Sequence, residues 1–142
     1  MTIKLVFEIE PIQQARPRVT RMGRGIRLYD PQKVSVYKKQ LGLMAKDMYK
    51  AEPLVGPLEL RIKFYRPIQK SISRKEHKRR ADGISRPVVK PDLSNYLKAF
   101  EDGLNGIIWK DDASIVHEEI DKYYSDNPRI ELEIEDGSDK NE

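Results

Sequence analysis

A short run of residues between positions 90 and 112 has the types and spacing that phosphate chemistry requires. Asp92 follows Pro91, Lys98 and Asp102 come later in the same helical pattern, and Asp111 and Asp112 close the stretch as an adjacent pair. Carboxylate oxygens hold hard divalent cations such as Mg²⁺, and a lysine ammonium beside them relieves the charge on a phosphate oxygen. The alternatives for each residue taken singly are a helix cap at Asp92, a solvated lysine at Lys98 and an ordinary turn at Asp111–Asp112. Joint spacing is what favours chemistry.

The elements that must position these groups can be read around them. Leu93, Leu97, Phe100 and Leu104 recur at helical spacing and predict an amphipathic helix with that face in the core. Asn95, Lys98 and Asp102 fall on another face as a polar stripe. Asp92 or Ser94 is placed to cap the first turn, and Gly103 and Gly106 flank Asn105 where the helix should stop. Ile107, Ile108 and Trp109 then read as a short buried strand delivering Asp111 and Asp112 to its end, with Trp109 in the core beneath the site.

Composition narrows the chemistry. The chain of 142 residues has no cysteine, which removes disulfides, zinc thiolates and cysteine nucleophiles and makes an intracellular, cytoplasmic setting the expectation. His77 and His117 are the only histidines, too few for a histidine-rich metal site. No run reaches the roughly 18–20 apolar residues of a membrane helix, and the N-terminus lacks a signal-peptide pattern. The length suits one domain. Positions 1–90 carry 22 Lys or Arg against 8 Asp or Glu, whereas 91–142 carry 5 against 15, so the net charge of +4 conceals two opposite halves. A basic surface holding an acidic cluster suits an enzyme that attracts a polyanion and retains a divalent ion, or else a plainly solvated surface.

In chain order, Thr2–Glu10 alternates as a strand ended by Pro11. The segment from Ile12 to Asp30 reads as a loop with Arg16, Arg18, Arg21, Arg24 and Arg27, suited to lie along phosphates or simply exposed. Asp30-Pro31 starts a helix that runs to Lys50, with Lys38, Lys39 and Lys46 on its outer face. Leu58 to Tyr65 alternates as a second strand. Residues 67–90 lack an apolar period and carry Lys70, Arg74, Lys75, Lys78, Arg79, Arg80, Arg86 and Lys90. They read as a DNA-contacting arm, mobile without DNA, or else as a mere linker, with a short exposed helix started by Ser73 and Glu76 at capping-box spacing. Ser114–Tyr124 and Arg129–Glu135 read as two strands joined in a hairpin by Asp126-Asn127-Pro128, and 136–142 as a frayed polar tail. The expected fold is a single small α+β domain over 1–135, with a mixed or antiparallel sheet of about four to five strands covered by two main helices.

The motif Lys-Pro-Asp92-Leu-Ser-Asn95-x-x-Lys98, then Glu-Asp102-x-Leu-Asn-Gly106, then Trp-Lys-Asp111-Asp112-Ala-Ser-Ile resembles the signature of the RusA family of Holliday junction resolvases. Gln14-Ala-Arg16-Pro17-Arg18 resembles the family's arginine-proline-arginine entry after the first strand. The resemblance implies a homodimeric, Mg²⁺-dependent endonuclease, with Mn²⁺ as a substitute, that nicks two strands of four-way junction DNA symmetrically. Such enzymes act in recombination and repair, commonly in phages and prophages, here expected in a bacterial cytoplasm or nucleoid. It implies Asp92 and Asp112 as metal ligands and Lys98 as the essential lysine. Some members have Asp where this chain has Ser94, so Asp102 or Asp111 is a candidate compensating ligand.

Two rivals remain from the sequence. A nuclease of restriction-enzyme type needs Pro-Asp followed by an acid-x-Lys pair on a strand, but Glu76-His77-Lys78 precedes Pro91-Asp92. A junction-DNA-binding protein without catalysis is the other, suggested by Ser94.

Overall fold

A computed structural model describes residues 1–138. Its elements are β1 (Thr2–Phe7), β2 (Arg18–Met22), β3 (Gly25–Tyr29), α1 (Gln32–Met48), β4 (Leu58–Pro67), α2 (Arg74–Ala81), α3 (Leu93–Leu104), β5 (Ile115–Ser125) and β6 (Arg129–Asp136). A short 3₁₀ turn, Asp112–Ser114, precedes β5. The architecture is α+β with a mixed four-stranded sheet, as the alternation and helical periods predict, and a separate two-stranded sheet that they do not.

The main sheet has the order β1-β6-β4-β5. β6 pairs antiparallel with both β1 and β4, and β4 pairs parallel with β5, so Leu132 lies opposite both Leu5 and Ile62, and Ile62 opposite Ile120. Alternation turns Phe7, Leu60, Ile62, Phe64, Ile130 and Ile134 onto one face, where α1 and α3 cover them. Phe100 of α3 meets Phe7 and Phe64 edge-on, at 5.4 and 5.7 Å between centroids. The opposite sheet face is charged, with Arg61 between Glu119 and Glu133.

The expected β5–β6 hairpin does not form. Both strands flank β4, and Asp126-Asn127-Pro128 bridges across its end. Two strand spacings are about 9.6 Å, within reach of four extended residue steps. The parallel β4–β5 pair instead requires a long crossover, and the arm with α3 supplies it.

Other boundaries also move. The arginine-rich loop contains a hairpin, β2–β3, turned by Gly23 at φ +61°. α1 begins at Gln32 with Pro31 as N-cap; Asp30 does not cap it, because its carboxylate takes Lys38 and Gln14 instead. Ile107–Trp109 is a turn, not a strand: Gly106 at φ +81° reverses the chain, leaving only isolated bridges from Trp109 to Leu54 and Asn105. Gly103 lies inside α3, where a Cβ would come within 3.0 Å of Leu41, so it marks the close approach of α1 rather than a helix stop. On α3 the buried face centres on Tyr96, Ala99, Phe100 and Leu104, with Leu93 and Leu97 only half-buried at its edge.

The beginning of the expected tail is fixed. Asp136 ends β6 and is buried, Gly137 N–H donates to Pro57 O at 2.9 Å, and the Ser138 hydroxyl donates to Gly56 O. The rest of that tail, 139–142, lies outside the described residues. Among the described residues no helix is long and apolar enough to cross a membrane.

Candidate active site

α3 carries Asn95, Lys98, Glu101 and Asp102 along its outer side, and Asp92 heads the same stripe at the N-cap. Beyond the helix, Asn105 closes the turn: its Oδ1 accepts the Asp112 backbone N–H at 3.1 Å, which fixes the acid pair against the end of α3. Asp111 caps the 3₁₀ turn by accepting from Ala113 N–H at 3.1 Å. Trp109 is fully buried below, in the core as its sequence context predicts.

The acids at this end feel one another. The bond from Ala113 N–H, followed by that with Asp112, holds Asp111 below the usual carboxylate range. Asp112 is pushed up, chiefly by its hydrogen bond with Asp111, then by burial and the charges of Asp111 and Asp102, with Lys98 opposing. Asp102 also lies 3.3 Å from the Lys38 ammonium, which reaches Asp30 at 2.7 Å. Lys38 is the main cause holding the Asp30 carboxyl down, and the more distant Lys98 adds to it. Lys98 itself makes no ion pair among the described residues.

Sequence reasoning missed one pair. Glu101, on the turn of α3 beside Asp102, meets Glu118 of β5, and burial followed by this contact pushes the Glu101 carboxyl up to about 9. Its Oε2 is buried without a hydrogen-bond donor. A buried carboxylate oxygen without a donor is satisfied by a proton or by a cation. No signal in the one-dimensional pattern marks Glu118, because the register of β5 against α3 brings it there. Among the described residues no three acids or histidines converge closely enough to enclose a metal by themselves. The donor set nevertheless fits Mg²⁺, which keeps most of its waters and is held by one or two carboxylates together with substrate phosphate.

Asp92 stands apart. α3 has twelve residues and is therefore about 18 Å long, and Asp92 and Asp112 occupy its opposite ends. Two oxygens on one Mg²⁺ lie only about 3–4 Å apart, given bonds of about 2.0–2.1 Å. The two acids of one chain thus do not clasp a single ion, and the acids gathered with Asp112 are Asp111, Asp102 and Glu101. The loop leading to Asp92 is pinned, since Arg66 donates to Lys90 O at 2.9 Å and Lys122 to Val89 O and Pro91 O at 2.9 and 3.0 Å. The Asp92 carboxylate is exposed and has no partner among the described residues. Ser94 is exposed one residue into the helix.

The arm folds onto β5. Ser73 accepts from Glu76 N–H at 3.2 Å, starting α2 as the capping spacing predicts. Arg80 stacks over Tyr124 at 4.4 Å and Arg86 over Tyr123 at 4.2 Å, with Arg86 also bound to Asp121 at 2.8 Å. His77 reaches Asp126 at 2.9 Å, and Lys78 pairs with Asp82 at 2.9 Å. Arg80 and Arg86 therefore fasten the arm, while Lys70, Arg74, Lys75, Arg79 and Lys90 remain at its surface. Arg16, Arg18, Arg21 and Arg24 are likewise exposed, on and beside the β2–β3 hairpin.

With this geometry established, comparison with known proteins gives two findings. The family model described as Endodeoxyribonuclease RusA matches residues 8–135. An uncharacterized protein of Bacillus subtilis (strain 168), YqaN, is 37% identical over 138 residues, covering 96% of this chain and 97% of that protein.

Proposed function

Because the chain belongs to the RusA endodeoxyribonuclease family, we propose that it is a divalent-metal-dependent endonuclease that resolves four-way DNA junctions by paired nicks, acting as a homodimer in recombination and repair. The observation that carries this reading is an acid group at the C-terminal end of α3, Asp112 with Asp111, Asp102 and Glu101, facing an unpaired Lys98 on a chain whose remaining surface is rich in cations. A symmetric substrate cut twice calls for two sites related by a two-fold axis.

Asp112, aided by Asp102, Asp111 and the Glu101–Glu118 pair, would hold Mg²⁺, with Mn²⁺ as a substitute. The ion when bound supplies Lewis-acid stabilisation of phosphate charge and acidifies water. The chain's own residues do the rest. Asn105 and the Ala113 N–H fix the acid pair, so little reorganisation accompanies the reaction. Asp112, the acid of the pair whose proton affinity is raised, would take the proton of the attacking water through the carboxylate oxygen it leaves free of the ion. Lys98 would donate to a non-bridging oxygen as the water oxygen bonds to phosphorus and the P–O3′ bond breaks, the departing 3′ oxygen taking its proton from solvent. Lys38 keeps Asp102 oriented through its bridge to Asp30. Asp92, at the far end of the stripe, is assigned to a second cation or an ordered water on the same DNA strand. α3 at about 18 Å spans roughly five nucleotides at 3.4 Å per step.

The restriction-type reading loses further ground, because Glu76-His77-Lys78 lies on α2 and not on a strand. The decisive test is incubation of a synthetic four-way junction with the protein and Mg²⁺. Paired nicks flanking the branch point support the resolvase. Binding without nicks under Mg²⁺ and Mn²⁺ would reduce it to a junction-binding protein, and cutting of linear duplex would return the restriction-type alternative.

A further inference from the structure

Among the described residues the β2–β3 hairpin forms a sheet of its own, apart from the main one. All ten of its strand residues are exposed, although Val19, Ile26 and Leu28 are apolar and expose 60, 72 and 65% of their surface. The register puts Val19 opposite Leu28 and Arg21 opposite Ile26, so these four share one face. An isolated two-stranded ribbon is marginally stable in water, so the apolar face calls for an occupant. The charge identifies it. Arg18, Arg21, Arg24 and Arg27 lie between positions 18 and 29 with no acid among them. Packing the Val19–Leu28 face against its own copy across a two-fold axis would bury each Arg21 beside its mate and leave Arg18, Arg24 and Arg27 of both ribbons around the seam without a carboxylate from either ribbon. A polyanion is the complementary surface.

We propose that the β2–β3 ribbon enters the major groove of a duplex arm flanking the active site. This inference deepens the nuclease reading and rests on it. Two strands of five residues, about 17 Å long, form a ribbon of the kind that a groove about 12 Å wide and 8.5 Å deep admits. The face with Val19, Arg21, Ile26 and Leu28 meets the groove floor, where thymine methyl groups take apolar contacts and guanine N7 and O6 take a guanidinium. Arg18 and Arg27, on the outer face, and Arg24, in the turn, reach round the ribbon edges to the phosphate walls. The ribbon is hung from the catalytic stripe itself. Gln14 N–H donates to Asn95 O of α3 at 2.9 Å, and its side chain holds Asp30, at the ribbon base, at 3.0 Å. Lys38 then links Asp30 to Asp102 at 2.7 and 3.3 Å. Duplex gripped by the ribbon is thereby set in register with the cutting site.

Dimethyl sulfate footprinting of a four-way junction bound by the full chain, without added divalent cation, tests this. It reads guanine N7 in the major groove and adenine N3 in the minor groove. Guanine N7 protection confined to the duplex arms is expected from the wild-type protein. Ile26→Asn/Leu28→Asn should erase it and weaken junction binding at least tenfold, and Arg18→Gln/Arg24→Gln should lower the salt slope of log K by about 2. Because these side chains are exposed, the unfolding midpoint should stay within a degree or two. A protein that nicks junctions in pairs yet protects only adenine N3, or protects no base, overturns the ribbon and leaves the nuclease reading standing. Loss of the dimer in Ile26→Asn/Leu28→Asn with an unchanged footprint overturns it in favour of a second copy as occupant. Failure of the wild-type protein to bind junctions overturns both.

Discussion

Replacing Glu101 with Gln should alter the pH dependence of stability in a direction the structure fixes. The Glu101 carboxyl is pushed from 4.5 to about 9, first by burial and then by Glu118. A folded value above the unfolded one means that the native state binds the extra proton. The associated stability is fully present below about pH 4.5 and is lost as pH rises towards 9. The steepest slope for one group is about 1.4 kcal/mol per pH unit. Both residues are only half-buried, and solvent screening reduces the loss between pH 5 and 9 to something on the order of 2–3 kcal/mol. Gln mimics the protonated acid and donates its amide to Glu118, so Glu101→Gln should match wild type at pH 5 and exceed it by about 2 kcal/mol at pH 9. Urea unfolding at pH 5, 7 and 9 measures this, and the wild-type-minus-variant difference cancels the remaining titratable groups. Millimolar Mg²⁺ at pH 8 should recover part of the loss in wild type, by taking the place of the proton, and stabilise the variant less, through the remaining acids alone. Parallel pH profiles, within about 0.5 kcal/mol, would refute the shared-proton geometry. An equal Mg²⁺ effect in both proteins would refute a cation at Glu101.

Lys98→Ala should lower the rate of junction cleavage by about 10²–10³-fold with little change in binding, the usual loss for one transition-state donor; single-turnover kinetics separate the two. Asp112→Asn should abolish nicking while a mobility-shift assay still shows the complex, whereas Asp92→Asn reports whether the far end of α3 takes part, and full activity there would remove its assigned role. Since Asp111 is the largest cause raising Asp112, Asp111→Asn should move the acid limb of the cleavage profile to lower pH; a shift to higher pH would contradict the base assignment. Gly103→Val should destabilise by about 2 kcal/mol or more, because its Cβ already meets Leu41 at 3.0 Å and branching adds atoms there; thermal unfolding would show it.

Local patterns along the chain determined most of the elements. Alternation marks β4 and β6, the capping spacing at Ser73 and Glu76 marks α2, and the polar stripe with Lys98 and Asp102 on α3 is legible because a helix repeats every 3.6 residues. The family, too, was legible, since its motif lies in contiguous residues from Asp92 to Asp112. Pairing was not. Asp126-Asn127-Pro128 has the length of a hairpin turn, and only the burial of β4 on both edges makes it a bridge across that strand. The site's membership was likewise decided by tertiary structure. A helix twelve residues long keeps Asp92 away from Asp112 however close their motif places them, while the run of β5 past α3 brings Glu118 to Glu101. Spacing in sequence fixes which face a residue occupies, but distances between elements depend on packing, which no local pattern contains.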